Sequence, residues 1–266
     1  MSRSQPTQPS MNRRALLKGL AGSAALVVVS QGFVACAAEA ATGTDAPDTT
    51  GTGGTTTTPS AASCVLTAAL TEGPYFVDEK LERSDIRSDP ATGAVSAGAP
   101  LSLTFNVSRV SSDACTPLTG AYLDVWHCDA AGTYSDVSGP GNGSAAGRKF
   151  LRGYQITDAN GVARFTTIYP GWYSGRAVHV HFKLRLFAGT TRTYEFTSQF
   201  FFDEALTSQV HAQSPYNSKG TRNVVNGRDG IYNSLSAAER ATLTLQATAD
   251  GSGGYAGVIN LGVQVG

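Results

Sequence analysis

Residues 178–187, VHVHFKLRLF, alternate without a break. Val178, Val180, Phe182, Leu184 and Leu186 fall on one side of an extended chain, and His179, His181, Lys183 and Arg185 on the other. A period of two marks a β-strand with one apolar face. The same rhythm runs through LSLTFNVSRV (101–110), where Leu101, Leu103, Phe105 and Val107 share a face. It is weaker but legible in GAYLDVWHC (120–128), RGYQIT (152–157), ARFTTI (163–168), YEFTSQFFF (194–202), ATLTLQAT (241–248) and GVINLGV (257–263). Asp158-Ala159-Asn160-Gly161, Tyr169-Pro170-Gly171 and Ala188-Gly189 are turn signals between them. DEALTSQVH (203–211) and SAAER (236–240) read as short helices, and the Gly/Ser-rich stretch 139–148 as a surface excursion. Strands at this spacing predict a mainly β protein, a β-sandwich with long loops and few short helices.

The chain has 266 residues and a formal net charge of zero, with a charged fraction of only 15%. No basic excess exists to hold a phosphate backbone, so nucleic acid is not an expected partner. Residues 1–40 read as an export leader. Arg13-Arg14 sits ahead of an apolar run that is short and interrupted for a bilayer span. Phe33-Val34-Ala35-Cys36 resembles a lipoprotein cleavage box, which would tether the protein to a membrane through lipidated Cys36; plain cleavage near Ala38 to Ala41 is the alternative. A twin-arginine leader implies a folded cargo delivered to the periplasm or the exterior. Residues 41–62, almost all Thr, Gly, Ala, Pro, Ser and Asp, have nothing to bury and read as a flexible linker, leaving 63–266 as the folded domain. Cys64, Cys115 and Cys128 allow a disulfide in an exported protein, and the sequence does not choose among the pairings.

Taken alone, HVH is a half-buried strand whose wet face begins with two histidines. The functional reading is that imidazoles at i and i+2 share a metal, which then needs more ligands. No third histidine qualifies: His127 lies inside a strand and His211 in a helix. Carboxylates are thin nearby, but phenols are not. Tyr169 and Tyr173 precede the strand, and Tyr134 follows GAYLDVWHC. A phenol is neutral at pH 7 unless a strongly charged cation deprotonates it. Two phenolates beside two neutral imidazoles favour a ferric over a ferrous ion.

PLTGAYLDVWHCDAAGTY (117–134) and TIYPGWY followed by GRAVHVHF (167–182) resemble the motifs of the intradiol ring-cleavage dioxygenases. TEGPYF (71–76) resembles that family's pocket-lining stretch, and SQFFF (198–202) the strand whose glutamine faces the pocket. The resemblance implies a non-haem Fe(III) enzyme that uses O2 to cleave a small aromatic diol between its hydroxyls, giving a cis,cis-muconate-type product. It implies Tyr134, Tyr173, His179 and His181 as iron ligands, with Tyr134 and His181 equatorial and Tyr173 and His179 axial. Tyr173 is then the ligand that leaves when substrate chelates. Arg176 would stabilise charge on the substrate, Gln199 would sit near its ring, Gly73 and Pro74 would shape the pocket, and Trp126 would pack behind the site. Tyr169 holds no ligand position in the motif. The chain lacks the helical N-terminal dimerisation segment of the catechol and hydroxyquinol branches. Only Ser174-Gly175 separates Tyr173 from Arg176, where protocatechuate enzymes carry an insertion. Both departures point to the exported, single-chain branch. The competing readings are a non-catalytic exported β-sandwich binding module, whose aromatics serve as stacking platforms, and a copper enzyme. An extradiol enzyme lacks its carboxylate ligand here.

Overall fold

The computed structural model describes residues 65–112, 114–139 and 141–265. The leader, Cys36, the linker and Cys64 lie outside the described residues. Cys115 and Cys128 are free thiols. Among the described residues no helix is long and apolar enough to cross a membrane.

The strands in chain order are β1 (Pro100–Val110), β2 (Cys115–Pro117), β3 (Tyr122–Trp126), β4 (Ser138–Gly139), β5 (Gly143–Ser144), β6 (Arg152–Ile156), β7 (Val162–Ile168), β8 (His179–Ala188), β9 (Thr191–Phe202), β10 (Thr244–Leu245), β11 (Thr248–Ala249) and β12 (Tyr255–Val263). Helices are α1 (Glu204–His211), α2 (Gly230–Ser234) and α3 (Ala237–Leu243). One sheet has the order β10-β9-β8-β3-β6; the other runs β11-β12-β1-β2, with β7 also pairing with β1. The predicted sandwich is therefore the observed architecture. The apolar faces of the two sheets meet in one core, where the Phe105 ring of β1 lies 6.0 Å from both Phe182 of β8 and Phe200 of β9.

The other face of β8 differs from its expected wetness. His179, His181, Lys183 and Arg185 are all buried. The N-terminal segment crosses over them: Lys183 pairs with Glu72 and lies 4.0 Å above the Phe76 ring, and Arg185 pairs with Asp78 and Asp124. The strand is thus dry on both faces, because charges on the second face are matched by carboxylates from the covering segment. That segment is anchored further on. Arg83 donates to the carbonyls of Ser88, Lys149 and Arg152. Asp89, fully buried, accepts from Arg148 Nε at 2.5 Å and from the Ala91 and Lys149 N–H groups.

Two sequence expectations change. Residues 241–248 are not one strand. Ser236 and Glu239 form a reciprocal cap that starts α3 and carries it to Leu243, so only Thr244–Leu245 and Thr248–Ala249 remain extended. The stretch 139–148 is not merely a surface excursion. It forms the β4–β5 hairpin and buries Asn142, whose side chain accepts from Tyr134 N at 2.7 Å and donates to Tyr134 O at 3.0 Å and Val137 O at 2.9 Å.

Asn142→Ala leaves three backbone groups without these partners and should cost about 2–4 kcal/mol, lowering the melting temperature by about 5–15 °C in a chain of this size. Burial raises the Asp89 carboxyl, but the bonds from Arg148, Ala91 and Lys149 outweigh it and hold the pKa below the ordinary value. A depressed folded-state pKa contributes stability that is full above the unfolded value and lost as pH falls through the folded one. Wild type should therefore melt above Asp89→Asn at pH 7, with the gap closing below about pH 4.

Candidate metal centre

Register places three side chains in one row. His181 lies opposite Trp126 of β3 and opposite Gln199 of β9. The Trp126 indole stacks flat on the His181 imidazole, centroids 4.9 Å apart and planes at 7°. His179, one step along the same face, stands edge-on to His181, with 3.1 Å between the two Nε2 atoms. His179 Nδ1 donates to the Ala177 carbonyl at 2.6 Å, which fixes the tautomer and leaves the Nε2 lone pair facing inward.

Two loops bring the phenols. After β3, Asp129 gathers the chain: its carboxylate accepts from Ala131 N and Thr133 N, and its carbonyl from Gly132 N and Gly171 N. Glycine is required on both sides of this contact. A Cβ on Gly132 would fall 2.1 Å from Trp172 O, and one on Gly171 2.3 Å from Ala130 O. The close approach brings the Tyr134 and Tyr173 rings within 5.7 Å of each other. Tyr134 Oη lies 3.4 Å and Tyr173 Oη 3.3 Å from His179 Nε2. Tyr134 is fully buried, while Tyr173 is half-buried beside exposed Ser174 and Gly175.

Three groups therefore crowd one nitrogen lone pair, which can serve one good hydrogen bond. At 3.3–3.4 Å the phenols are too distant for a strong O–H···N bond. The spacing instead fits donors around a cation. Metal bonds of about 2.0–2.2 Å to nitrogen or oxygen put neighbouring donors about 3 Å apart. Among the described residues no group of three or more His, Cys, Asp or Glu could hold a metal, so a centre here depends on the phenols. Left to themselves the four donors are neutral at pH 7. Burial, reinforced by the Arg176 charge, drives His179 down to about 3; burial and the neighbouring His179 take His181 well below the ordinary range. Burial pushes Tyr173 up to about 12 and Tyr134 well above the usual phenol range. A dry set of this kind fits only a cation strong enough to deprotonate the phenols.

Arg176 borders the donors. Its Nε donates to Asp229 Oδ2 at 2.8 Å and its Nη2 to Gln199 Oε1 at 2.7 Å. Gln199 in turn donates to Thr71 O at 2.7 Å, tying in the covering segment. Gly73 sits against the His181 ring, 3.4 Å from Cε1 to the position a Cβ would take. Pro74 is exposed, and its neighbour Tyr75 is the residue that touches the donors. Tyr75 stacks on Tyr134 at 4.5 Å and meets Tyr173 edge-on at 6.0 Å. Tyr169 is buried in the core, its hydroxyl 2.8 Å from Thr207. His127 is turned away, bonded to Cys128 O and Thr167.

Sequence reasoning missed Tyr75, Asn142 and Asp229. TEGPYF contained the first, whose contacts follow only from where the segment folds. Nothing local marks Asn142 or Asp229. Burial raises the Asp229 carboxyl, but the Tyr232 and Ala177 N–H groups and Arg176 hold it below the ordinary value.

A profile of the dioxygenase family matches residues 71–226, which takes in every site residue named from the sequence. No curated protein matches. Among solved structures, an intradiol ring-cleavage dioxygenase from Tetranychus urticae is 30% identical over 76% of this chain and 95% of its own, with a TM-score of 0.63. The dioxygenase domain of a dioxygenase carbohydrate-binding protein fusion from Streptomyces sp. SirexAA-E is 25% identical over 76% of this chain and 100% of its own, TM-score 0.51. The 3-chlorocatechol 1,2-dioxygenase of Rhodococcus opacus 1CP, 20% identical over 74% and 72%, shares the fold at a TM-score of 0.50. The chain belongs to the intradiol ring-cleavage dioxygenases, a family of oxidoreductases that act on catechol-type rings with O2 and typically use non-haem iron.

Proposed function

We propose that this protein cleaves a catechol-type diol between its two hydroxyls, at a non-haem Fe(III) held by Tyr134, Tyr173, His179 and His181. The carbon–carbon bond breaks, both atoms of O2 enter the product, and a cis,cis-muconate-type diacid results; no further reductant is needed. The observation that supports this reading is the crowding of three donors within 3.1–3.4 Å of His179 Nε2. The ferric ion, when bound, supplies a Lewis acid that makes phenols and diol hydroxyls acidic at neutral pH.

The residues around it divide the remaining work. The Ala177 carbonyl and the Trp126 face hold the two imidazoles in place, so neither must reorganise. Tyr134, buried and clamped by Asn142, is the immobile phenol. Tyr173 stands at the half-exposed edge, on the loop that carries Ser174-Gly175. We assign its Oη the role of accepting a proton from an incoming hydroxyl, and its place at the half-exposed edge would let the ring move aside for the substrate. Arg176 stabilises negative charge that builds on the ring. Two of its nitrogens are engaged by Asp229 and Gln199, and Nη1 has no partner among the described residues. The same proposal puts this reaction outside the cytoplasm, in keeping with the leader read from Arg13-Arg14 and Cys36.

Purified protein should carry ferric iron and a visible phenolate-to-iron colour. It should take up O2 with at least one of catechol, hydroxyquinol, protocatechuate or a larger diphenol. Tyr173→Phe should retain some iron but lose turnover by about 10²-fold or more, and His181→Ala should lose most of the iron. A protein that stays colourless and inert after ferric salt is a binding module, and the enzyme reading is then wrong.

A further inference from the structure

Asp229 lies three residues past the end of the family match at 226, on the segment between β9 and β10 rather than on any strand of the site. It is fully buried, and its two oxygens have separate tasks. Oδ1 accepts from Ile231 N at 2.8 Å and Tyr232 N at 3.0 Å, capping α2. Oδ2 accepts from Arg176 Nε and from Ala177 N, each at 2.8 Å. Ala177 is the residue whose carbonyl fixes the His179 tautomer. A single oxygen therefore grips the arginine and the backbone between that arginine and the first imidazole.

We propose that Asp229 is a positioning residue for ring cleavage: it aims the Arg176 guanidinium, together with Gln199, so that Nη1 faces the substrate. This rests on the function proposed above. The geometry explains why a carboxylate is needed. Arg176 Nε–H and the Ala177 N–H converge on one point and both need an acceptor there; without one the guanidinium would be free to rotate toward solvent, since the Ser174-Gly175 loop beside it is exposed. The carboxylate supplies that acceptor and leaves the guanidinium one orientation. Gln199 holds the second nitrogen and is itself held by Thr71 O. The arginine is thus clamped between the C-terminal segment and the N-terminal covering segment, with β8 and β9 between them.

Asp229→Asn separates the two tasks. Asparagine is as good a helix cap as aspartate, so Oδ1 can still serve Ile231 and Tyr232. Its amide then meets Arg176 Nε–H and Ala177 N–H donor to donor, and the clamp is lost. The variant should load iron and show the resting colour of wild type. Its kcat/KM should fall by about 10–100-fold, mostly in kcat, because misplacement of a charge-stabilising group is felt at the transition state. Binding of 4-nitrocatechol, read from its visible band, should weaken less than fivefold. Asp229→Glu should recover part of kcat. In an Arg176→Ala background, Asp229→Asn should change kcat/KM by less than twofold.

A structural role alone predicts otherwise: wild-type kcat in the iron-loaded fraction, and a lower melting temperature that adds in full to any loss caused by Arg176→Ala. That result overturns the proposal. Should Asp229→Asn fail to fold, Asp229→Glu decides, because its extra methylene displaces the guanidinium; wild-type kcat there is equally fatal. Failure of the underlying enzyme reading is seen separately, as wild-type protein without iron or turnover.

Discussion

The second face of β8 is kept dry, and that constraint sets the properties of everything on it. A strand with His179, His181, Lys183 and Arg185 on one side would ordinarily turn that side to water. Here residues 72–78 lie across it, with Glu72 and Asp78 matching Lys183 and Arg185 and Gly73 against the His181 ring, and the imidazoles are buried. Desolvation keeps the imidazoles neutral and the phenols protonated. The same desolvation leaves the donor atoms without competing water, so a cation that deprotonates the phenols would be held by two phenolate oxygens and two imidazole nitrogens.

Rigid and movable parts are assigned by position. Imidazoles on a central strand, flanked by β3 and β9, cannot shift without disturbing both neighbours. Tyr134 comes from a loop, yet Asn142 and the Asp129 turn give it nearly the fixity of a strand residue. Tyr173 alone is on a half-exposed loop, where a side chain can move without opening the core. Division of one ligand set into fixed members and a mobile one suits a site that must admit a chelating substrate. Arg176, close by, would share that mobility were it not gripped from two directions.

Periodic signals in the sequence were reliable where burial alternates. β1, β7 and β12 lie within two residues of their predicted spans, because core contact enforces a period of two; β8 and β9 are found within three, on the alternation of their apolar residues, although β8 is buried on both faces. The failure at 241–248 has a local cause. ATLTLQAT alternates, but the reciprocal cap of Ser236 and Glu239 commits the chain to a helix before the alternation begins. The burial of Lys183 and Arg185 could not be foreseen, since it depends on a segment about a hundred residues earlier in the chain. Asn142 sits in a Gly/Ser run that composition marks as surface, and Asp229 follows a stretch without periodicity. Asn142 matters through Tyr134, eight residues before it, and Asp229 through Arg176, fifty-three residues before it, and composition carries no trace of either contact. The donors themselves were legible because their residue types are unusual for a strand and a turn; their mutual distances were not.

Anomalous diffraction at the iron absorption edge, from crystals of protein loaded with ferric salt, tests the central claim most directly. The account predicts one strong peak about 2 Å from Tyr134 Oη, Tyr173 Oη, His179 Nε2 and His181 Nε2 together. A map with no peak among those four atoms, or with iron bound by carboxylates elsewhere, contradicts it.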